Sequence, residues 1–461
     1  MIGITSYGAY VPRYRMGKET VGWGAAERAV ACFDEDSITM GVAAAIDCLI
    51  GVDRSKVGGL LFASNTAPYS EKMAATLVAT AADLSIEAIT LDLAHSIRVG
   101  TTGLRMAFNA VKAGAAKQAM VVASDCRLGR PRSSIEQNGG DGAAALLLGD
   151  TDVVAELEGF YSVSQEIIDV WRPDGDKMVR SWEERFFLEE GYLKVVPQVV
   201  NGLLTKQGIT LKDITKVVVY ASDVRRHREM AQKLKLAPEQ VQNPLFGALG
   251  NTGAALAPMM LVAALEQAKP GDRILVANYG NGADALLFKV TDNIVKARNH
   301  RGMQKHLASR RIIPDYTTYL WWRDLFDPDL GIQLRPKEIP SAPNIFRDQE
   351  AIYRLYGAKC KSCGTVQYPP QVLCTKCRAE GNFEKVRLAD KKAQLFSYTL
   401  DALSGSKDSP LVQSVINFDG GGRMVGPMAD REVKEVKIGM PLEMSFRRLY
   451  YADGIFAYFW K

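Results

Sequence analysis

No stretch of 18 consecutive apolar residues occurs in the 461-residue sequence, because every candidate run is broken by charge or glycine. A membrane-spanning helix is therefore not expected. The start MIGITSYGAYVP has no basic flank followed by an apolar run, so the chain reads as cytoplasmic. Charge of one sign is also scarce. Lys and Arg number 57 against 52 Asp and Glu, a formal +5. Spread over this length, that excess does not argue for a nucleic-acid partner, and none is expected. Of seven cysteines, only Cys32, Cys48 and Cys126 lie outside one tight cluster, which excludes a disulfide framework. A composition of 47% hydrophobic and 24% charged residues is that of a globular protein. The length calls for two or three domains.

What the chain has is alternation. Apolar strand candidates at Val57–Ala63, Ala119–Ala123, Val217–Tyr220 and Arg273–Ala277 are separated by Ala-rich helix candidates. These are Ser37–Ile50, Glu71–Ala81, Thr101–Ala113 and Ala255–Ala268. Nearly continuous apolar strands alternating with helices imply an α/β sheet covered on both faces. The pattern recurs, so a duplicated core is expected, with halves at 1–165 and 166–290. Residues 291–350 are basic and aromatic, with few glycines, and read as a helical linker. Their basic run is either a solvated surface or a patch for a phosphorylated ligand. Residues 176–187, DKMVRSWEERFF, read as a helix, on the surface or over a pocket. Residues 381–461 show five short alternating segments, at Ala393–Leu400, Leu411–Phe418, Met424–Met428, Leu442–Arg447 and Ile455–Trp460. Turns at GSKDSP and DGGGR separate them, as in a small β-barrel of the OB type.

Within residues 351–380, Cys360, Cys363, Cys374 and Cys377 follow the spacing C-x2-C, ten residues, C-x2-C. Two intervening residues let both sulfurs of a pair face one ion across a tight turn. Four thiolates select zinc, or iron as in rubredoxin. Every ligand position is filled by protein, so the metal is expected to be structural Zn2+ that supplies folding energy to a small ribbon.

Two resemblances enter at these motifs. YGAKCKSCGTVQYPP, VLCTKC, FSYT and IGMPLEMSFRRL resemble the DUF35 family, a rubredoxin-like zinc ribbon followed by an OB fold. GITSYGAYVPRYR, FDEDSITMGVAAA, GGDGAAALLLGD and FGALGNTGAALAP resemble the thiolase superfamily, specifically prokaryotic hydroxymethylglutaryl-CoA synthase. Together they imply a duplicated thiolase-like core, then a zinc ribbon and an OB barrel. They also imply a coenzyme A thioester substrate and a homodimer.

The resemblance to that superfamily weakens at the chemistry. Its nucleophilic cysteine falls on Ile97 in Asp92-Leu-Ala-His-Ser-Ile-Arg-Val-Gly-Thr101. Isoleucine cannot attack a thioester. Ser96 is one residue away, about 100° around a helix, and Cys126 follows another strand; each is a candidate relocated nucleophile. The family's catalytic histidine falls on Tyr220, with His227 seven residues on, and its glutamate falls near Asn65. The asparagine survives as Asn251 in LGNTG. Covalent acyl transfer needs a nucleophile with an adjacent base, and neither is retained. An Asn amide and glycine-rich turns can still stabilise a thioester enolate, and a tyrosine can move a proton.

That set resembles the steroid side-chain retro-aldolases, which lack thiolase cysteine chemistry, use tyrosines and work with a DUF35 partner. The expected catalytic residues are Tyr220, Asn251, His95 beside the vacated position, and Tyr279 in ANYGNGAD, with Asp284 as a possible orienting group. The expected activity is aldol or retro-aldol chemistry on a β-hydroxyacyl-CoA. Two alternatives stand: an acyltransferase with a relocated nucleophile, and a non-catalytic acyl-CoA scaffold or channelling protein.

Overall fold

The computed structural model describes the chain apart from residues 23–25, 298–300 and 332–336, the last two stretches falling in the expected linker. The chain divides into two compact units. One holds Met1–Cys32 with Asp36–Asp315, and the other Phe33–Glu35 with Tyr316–Lys461.

The first unit is built on nine strands: β1 (Gly3–Tyr10), β2 (Val57–Ala63), β3 (Ile89–Leu93), β4 (Gln118–Asp125), β5 (Gly142–Gly149), β6 (Ala155–Ser164), β7 (Lys216–Val219), β8 (Arg273–Tyr279) and β9 (Gly282–Val290). Their order is β7-β8-β9-β6-β1-β5-β4-β2-β3. Outward from β1, the first half runs antiparallel to β5 and β4, then parallel to β2 and β3. Outward from β6, the second half runs antiparallel to β9 and β8, then parallel to β7. The two halves meet through a short antiparallel pairing, Gly3 with Glu156 and Ile4 with Ala155. The repeated strand order is the duplicated α/β core expected from the alternation.

Small residues explain how the helices fit. Helix α1 (Ser37–Cys48) starts at a capping box in which Asp36 accepts from the Thr39 amide, and it is buried almost all round. A Cβ on its Gly41 would stand 2.9 Å from the Phe62 ring. Helix α2 (Ala74–Ala81) covers β2 and β3. Helix α3 (Val99–Lys112) and helix α5 (Leu256–Gln267) cross closely, because a Cβ on Gly100 would fall 2.9 Å from Pro258 Cγ. Between them in sequence, α4 (Leu193–Gln207) packs on β6 and β9. Every residue of α5 from Leu256 to Leu265 is buried, and α5 packs on strands of both halves. An apolar side chain so placed contributes roughly 1.5–3 kcal/mol, which makes this helix a main source of the core's cohesion.

The expected helix at 176–187 does not form over its length. Arg180–Ser181 pairs antiparallel with Val170–Trp171, so these residues close a hairpin. Glu183 then takes a left-handed φ of 47°, where a right-handed helix cannot run through it. Helix begins only at Glu184–Phe186 and leads into α4. Part of the expected linker also joins the core. Gly302–Ala308 is helical and packs on β1, and Arg311–Ile312 pairs in parallel with Tyr14–Arg15.

In the second unit, the ribbon consists of β10 (Tyr356–Cys360), β11 (Val366–Gln367) and β12 (Phe383–Arg387), with β10 central. Beyond it lie β13 (Ala393–Asp401), β14 (Leu411–Phe418), β15 (Arg423–Pro427) and β16 (Pro441–Leu442), ordered β15-β14-β13-β16. The hairpin β17 (Phe446–Ala452) and β18 (Ile455–Trp460) follows. Alternation along β14 buries Val412, Ser414, Ile416 and Phe418 on one face. The segment expected as one strand at Leu442–Arg447 is instead divided. Residues 443–444 leave the β16 pairing, and Ser445, which exchanges both backbone hydrogen bonds with Lys461, opens a new hairpin with Phe446. Within this unit Arg447 is buried among Asp34, Glu35 and Asp430, with Glu35 at 2.7 Å. Removing one partner of such a set leaves an uncompensated charge, at a cost of about 3–5 kcal/mol.

Two buried histidines give the core a pH dependence. Burial lowers the His227 imidazole to about 4, and burial with Arg301 and Arg15 nearby lowers His306 to about 3. Unfolding returns both to about 6.5, so the unfolded chain binds more protons between pH 4 and 6.5 and stability falls as pH drops through that window. Thermal unfolding at pH 7 and pH 5 is expected to show the loss, and His227→Leu to flatten it.

Candidate functional site

A single carboxylate gathers the strand ends at one side of the core. Asp125, the last residue of β4, is fully buried. Its Oδ1 accepts from the Asn65 amide at 2.7 Å, Thr66 Oγ1 at 2.9 Å and Ser64 Oγ at 3.2 Å. Its Oδ2 accepts from the Ala254 amide at 2.9 Å and Asn65 Nδ2 at 3.3 Å. Three backbone segments converge on it: the loop after β2, the end of β4, and the turn before α5. Gly253 in that turn has φ of +58°, and a Cβ there would lie 2.4 Å from Asp125 Oδ2, so glycine is required by both conformation and space. Asn65 Nδ2 also donates to the Ser96 carbonyl at 3.0 Å, linking this hub to the segment before α3.

Beside the hub opens a cavity of about 1130 Å3. Asn65, His95, Ser96 and Ile97 line it, together with Arg127 and Asp169. No cysteine is among its lining residues. His95 is exposed, with a left-handed φ of 72°. Ser96 Oγ donates to the Gly280 carbonyl at 3.1 Å. The Cys126 amide donates to Thr66 Oγ1 at 3.0 Å, and the thiol contacts the same oxygen at 3.8 Å.

Tyr220, Asn251 and Tyr279 are not on the cavity wall but form a buried group next to Arg127 and Asp169. Asn251 Nδ2 donates to the Tyr220 hydroxyl at 3.0 Å, and Asn251 Oδ1 accepts from the Gly253 amide at 2.9 Å. Burial pushes the Tyr220 phenol up, while the Arg127 guanidinium and the Asn251 amide oppose that rise. Tyr192 donates to the Tyr220 carbonyl at 2.8 Å and packs edge-on against Tyr279 at 5.6 Å. Burial, and then the Asp169 carboxylate, push the Tyr279 phenol far up. Its hydroxyl rests against Gly191, where a Cβ would sit 2.4 Å away.

The two remaining expectations resolve differently. Asp284 accepts from Thr102 Oγ1 at 2.8 Å and Thr101 Oγ1 at 3.0 Å, with Arg98 at 3.5 Å. It therefore anchors the start of α3 to β9. His227 is buried in the helix Val224–Lys233 and does not line the cavity. Three residues of the site escaped sequence reasoning: Asp125, Arg127 and Asp169. The signal for Asp169 was faint, a lone carboxylate within the apolar run Ile167-Ile168-Asp169-Val170.

The four cysteines form a second centre, within the ribbon. Sγ of Cys360 lies 3.6 Å from that of Cys377, Sγ of Cys363 lies 3.5 Å from that of Cys374, and all four fall within 4.8 Å of one another. A tetrahedral ion with Zn–S near 2.3 Å requires sulfurs about 3.8 Å apart, so the donors fit zinc. Two matching knuckles build the site. Gly364 and Arg378 occupy left-handed positions, and the amides of Gly364 and Arg378 donate to the carbonyls of Cys360 and Cys374. Bound there, the ion would hold the two knuckles together in place of an apolar core.

Comparison with known proteins accounts for both halves. Residues 347–384 match the rubredoxin-like zinc ribbon domain of ChsH2, and 385–447 its C-terminal OB-fold domain. Residues 204–289 match the C-terminal domain of 3-oxoacyl-[acyl-carrier-protein] synthase III. The hydroxymethylglutaryl-CoA synthase of Pyrococcus horikoshii is 33% identical over 332 residues, spanning 69% of this chain and 95% of that protein. The chain belongs to the hydroxymethylglutaryl-CoA synthase family. The synthase of Methanocaldococcus jannaschii is 31% identical over 341 residues, 70% of this chain and 99% of that one. The fold is shared with a crystal structure of HMG-CoA synthase complexed with CoA, at TM-score 0.61 and 18% identity over 74% of this chain and 95% of that chain. It is also shared with 3-oxoacyl-[acyl-carrier-protein] synthase III of Aquifex aeolicus VF5, at TM-score 0.58 and 20% identity over 63% and 100%. Within this family of acyl-CoA condensing enzymes, the chain carries an added zinc ribbon and OB domain.

Elemental analysis is expected to find one zinc per chain. Cys374→Ser should lose the metal and melt the ribbon early, because the metal-binding energy of such a module is folding energy.

Proposed function

We propose that this protein makes or breaks a carbon–carbon bond in a coenzyme A thioester without an acyl-cysteine, by retro-aldol cleavage of a β-hydroxyacyl-CoA. The observation that carries the reading is the apolar Ile97 side chain on the cavity wall where the family's nucleophile is expected, with the Asn251–Tyr220 hydrogen bond nearby. In such a cleavage, a base takes the β-hydroxyl proton and the Cα–Cβ bond breaks. The electron pair moves into the thioester as an enolate, and Cα is then protonated. The products are a ketone or aldehyde and a shorter acyl-CoA. No covalent intermediate or co-reactant is needed.

Tyr220 is the proposed acid. Its phenol is raised by burial, so it holds its proton at neutral pH. Asn251 donates to the phenol oxygen, which leaves the phenol's own proton available to a developing enolate oxygen. In this reading Arg127, on the cavity wall beside Tyr220, adds positive charge where the oxyanion develops. Asn251 then acts by positioning Tyr220, because its amide hydrogens are directed to that hydroxyl and to the carbonyls of Ala221 and Ser222. His95 and Tyr279 are proposed to contact the acyl end and to shape the site, respectively.

A panel of β-hydroxyacyl-CoAs, followed by chromatography of the thioester products, tests the reading. Cleavage of at least one is expected, and Tyr220→Phe should lower kcat by about 100-fold with thioester binding retained. Retained binding with lost turnover also rejects a pure scaffold. Intact mass after incubation with acetyl-CoA should show no adduct; an acyl group on Ser96 or Cys126 would instead support a transferase.

A homodimer is also proposed. Strand β3 is an edge of the sheet, and Ile86, Ile89 and Leu91 stand exposed on and beside it. An uncovered apolar edge of this kind invites pairing. Sedimentation should give a dimer, and Ile89→Asp should shift it toward monomer.

A further inference from the structure

One buried carboxylate on the cavity wall is only partly satisfied by the protein around it. Asp169 is 3% exposed, yet it lines the cavity. Its Oδ1 accepts from the Val170 amide at 2.5 Å. Its Oδ2 has no hydrogen-bond partner among the described residues, and neither has the hydroxyl of Tyr279. The two groups interact with one another, the phenol lowering the carboxyl's proton affinity and the carboxylate raising the phenol's. Tyr279 is held there by the edge-on Tyr192 ring, by Gly191 and by the neighbouring Ile167 side chain. Around the pair stand Arg127, which lines the same cavity, and Tyr220, with Glu166 and His95 elsewhere on the wall.

Leaving a carboxylate oxygen and a phenol short of hydrogen bonds in the interior is unfavourable. Buried polar groups are nearly always fully satisfied, so an under-satisfied carboxylate and phenol that meet beside a cavity are a poor structural device and a serviceable proton-transfer device. Burial also raises the Asp169 carboxyl above the usual carboxylate range, against the opposing Val170 amide, Tyr279 and Arg127. That places it nearer the pH at which it would work.

We propose that Asp169 is a catalytic residue of this cavity, the group that carries the proton between the β-hydroxyl and Cα, with Tyr279 as its positioning partner. The inference rests on the retro-aldol reading above. As the Cα–Cβ bond breaks, the ionised Asp169 takes the β-hydroxyl proton, and the Cβ fragment leaves as the carbonyl compound. The same proton then passes to Cα of the enolate, which regenerates the carboxylate. In the aldol direction the steps reverse, and Asp169 removes a Cα proton. The residue thus supplies the base that the family's missing histidine and glutamate leave vacant. Its base form is needed for cleavage, so kcat/KM should fall as pH drops through a carboxyl titrating above the ordinary range.

The test uses the full-length, zinc-loaded protein, a β-hydroxyacyl-CoA that the wild type cleaves, and acetyl-CoA in D2O. Asp169→Asn is expected to lower kcat by about 100-fold or more with KM little changed. It should also abolish deuterium uptake at Cα of acetyl-CoA and remove the acidic limb of the pH profile. Asp169→Glu should recover part of the rate, and Tyr279→Phe should shift the acidic limb. The Tm of Asp169→Asn should be little changed, because the asparagine amide oxygen keeps an acceptor for the Val170 amide. A wild type that neither cleaves a thioester nor exchanges a Cα proton overturns the proposed function and this role with it. A wild type that does both, with an Asp169→Asn variant of near-equal kcat and exchange, overturns the Asp169 role alone. Loss of activity accompanied by a lowered Tm, with no rescue by glutamate, also overturns it in favour of a structural role.

Discussion

The fully buried carboxylate of Asp125 is the constraint on which the cavity depends. With five donors drawn from the loop after β2 and the turn before α5, it is satisfied by hydrogen bonds and not by a cation. A charge held this way at zero exposure commits every donor to one geometry, since each loss would leave a desolvated oxygen. Asn65 carries the constraint onward to Ser96, and Gly253 admits the close approach that it requires. The positions of Ile97, Arg127 and Asn251 follow from that frame, because each lies one or two residues from a donor, from Asp125 itself or from a segment fastened to it.

Around this frame the scaffold is that of the family, while the cavity wall carries Ile97 and no cysteine. In the proposed reading that isoleucine adds apolar surface that favours a bound acyl chain over water, and phenols and a carboxylate serve as proton carriers in a reaction whose charge moves through an enolate. The zinc ribbon has an unrelated physical role. Its two knuckles carry little apolar core, so four thiolates and an ion do the work that packing does elsewhere.

Legibility varied with how local the determining physics is. Four strand candidates and four helix candidates were placed within a few residues, because apolar runs and Ala-rich faces report burial directly. The cysteine spacing specifies a tetrahedral donor set by itself, since its geometry is contained in two short turns. The stretch at 176–187 misled because its charged and aromatic pattern suits a helix, whereas pairing to Val170–Trp171 and the left-handed Glu183 end that option. Leu442–Arg447 misled in a similar way, reading as one strand while the chain changes partners at residues 443–445.

The α/β core, the zinc ribbon and the barrel were legible in the sequence, because each is written in period or spacing. Tertiary structure alone decided which polar groups meet. Asp125, Arg127 and Asp169 lie up to 44 positions apart from one another, and Tyr220, Asn251 and Tyr279 come from further along the chain. Nothing in their local sequence says that a carboxylate on one loop will face a phenol at the end of a distant strand. That encounter depends on the order in which nine strands lie side by side, and on the glycines that let the helices come close enough to bring them together.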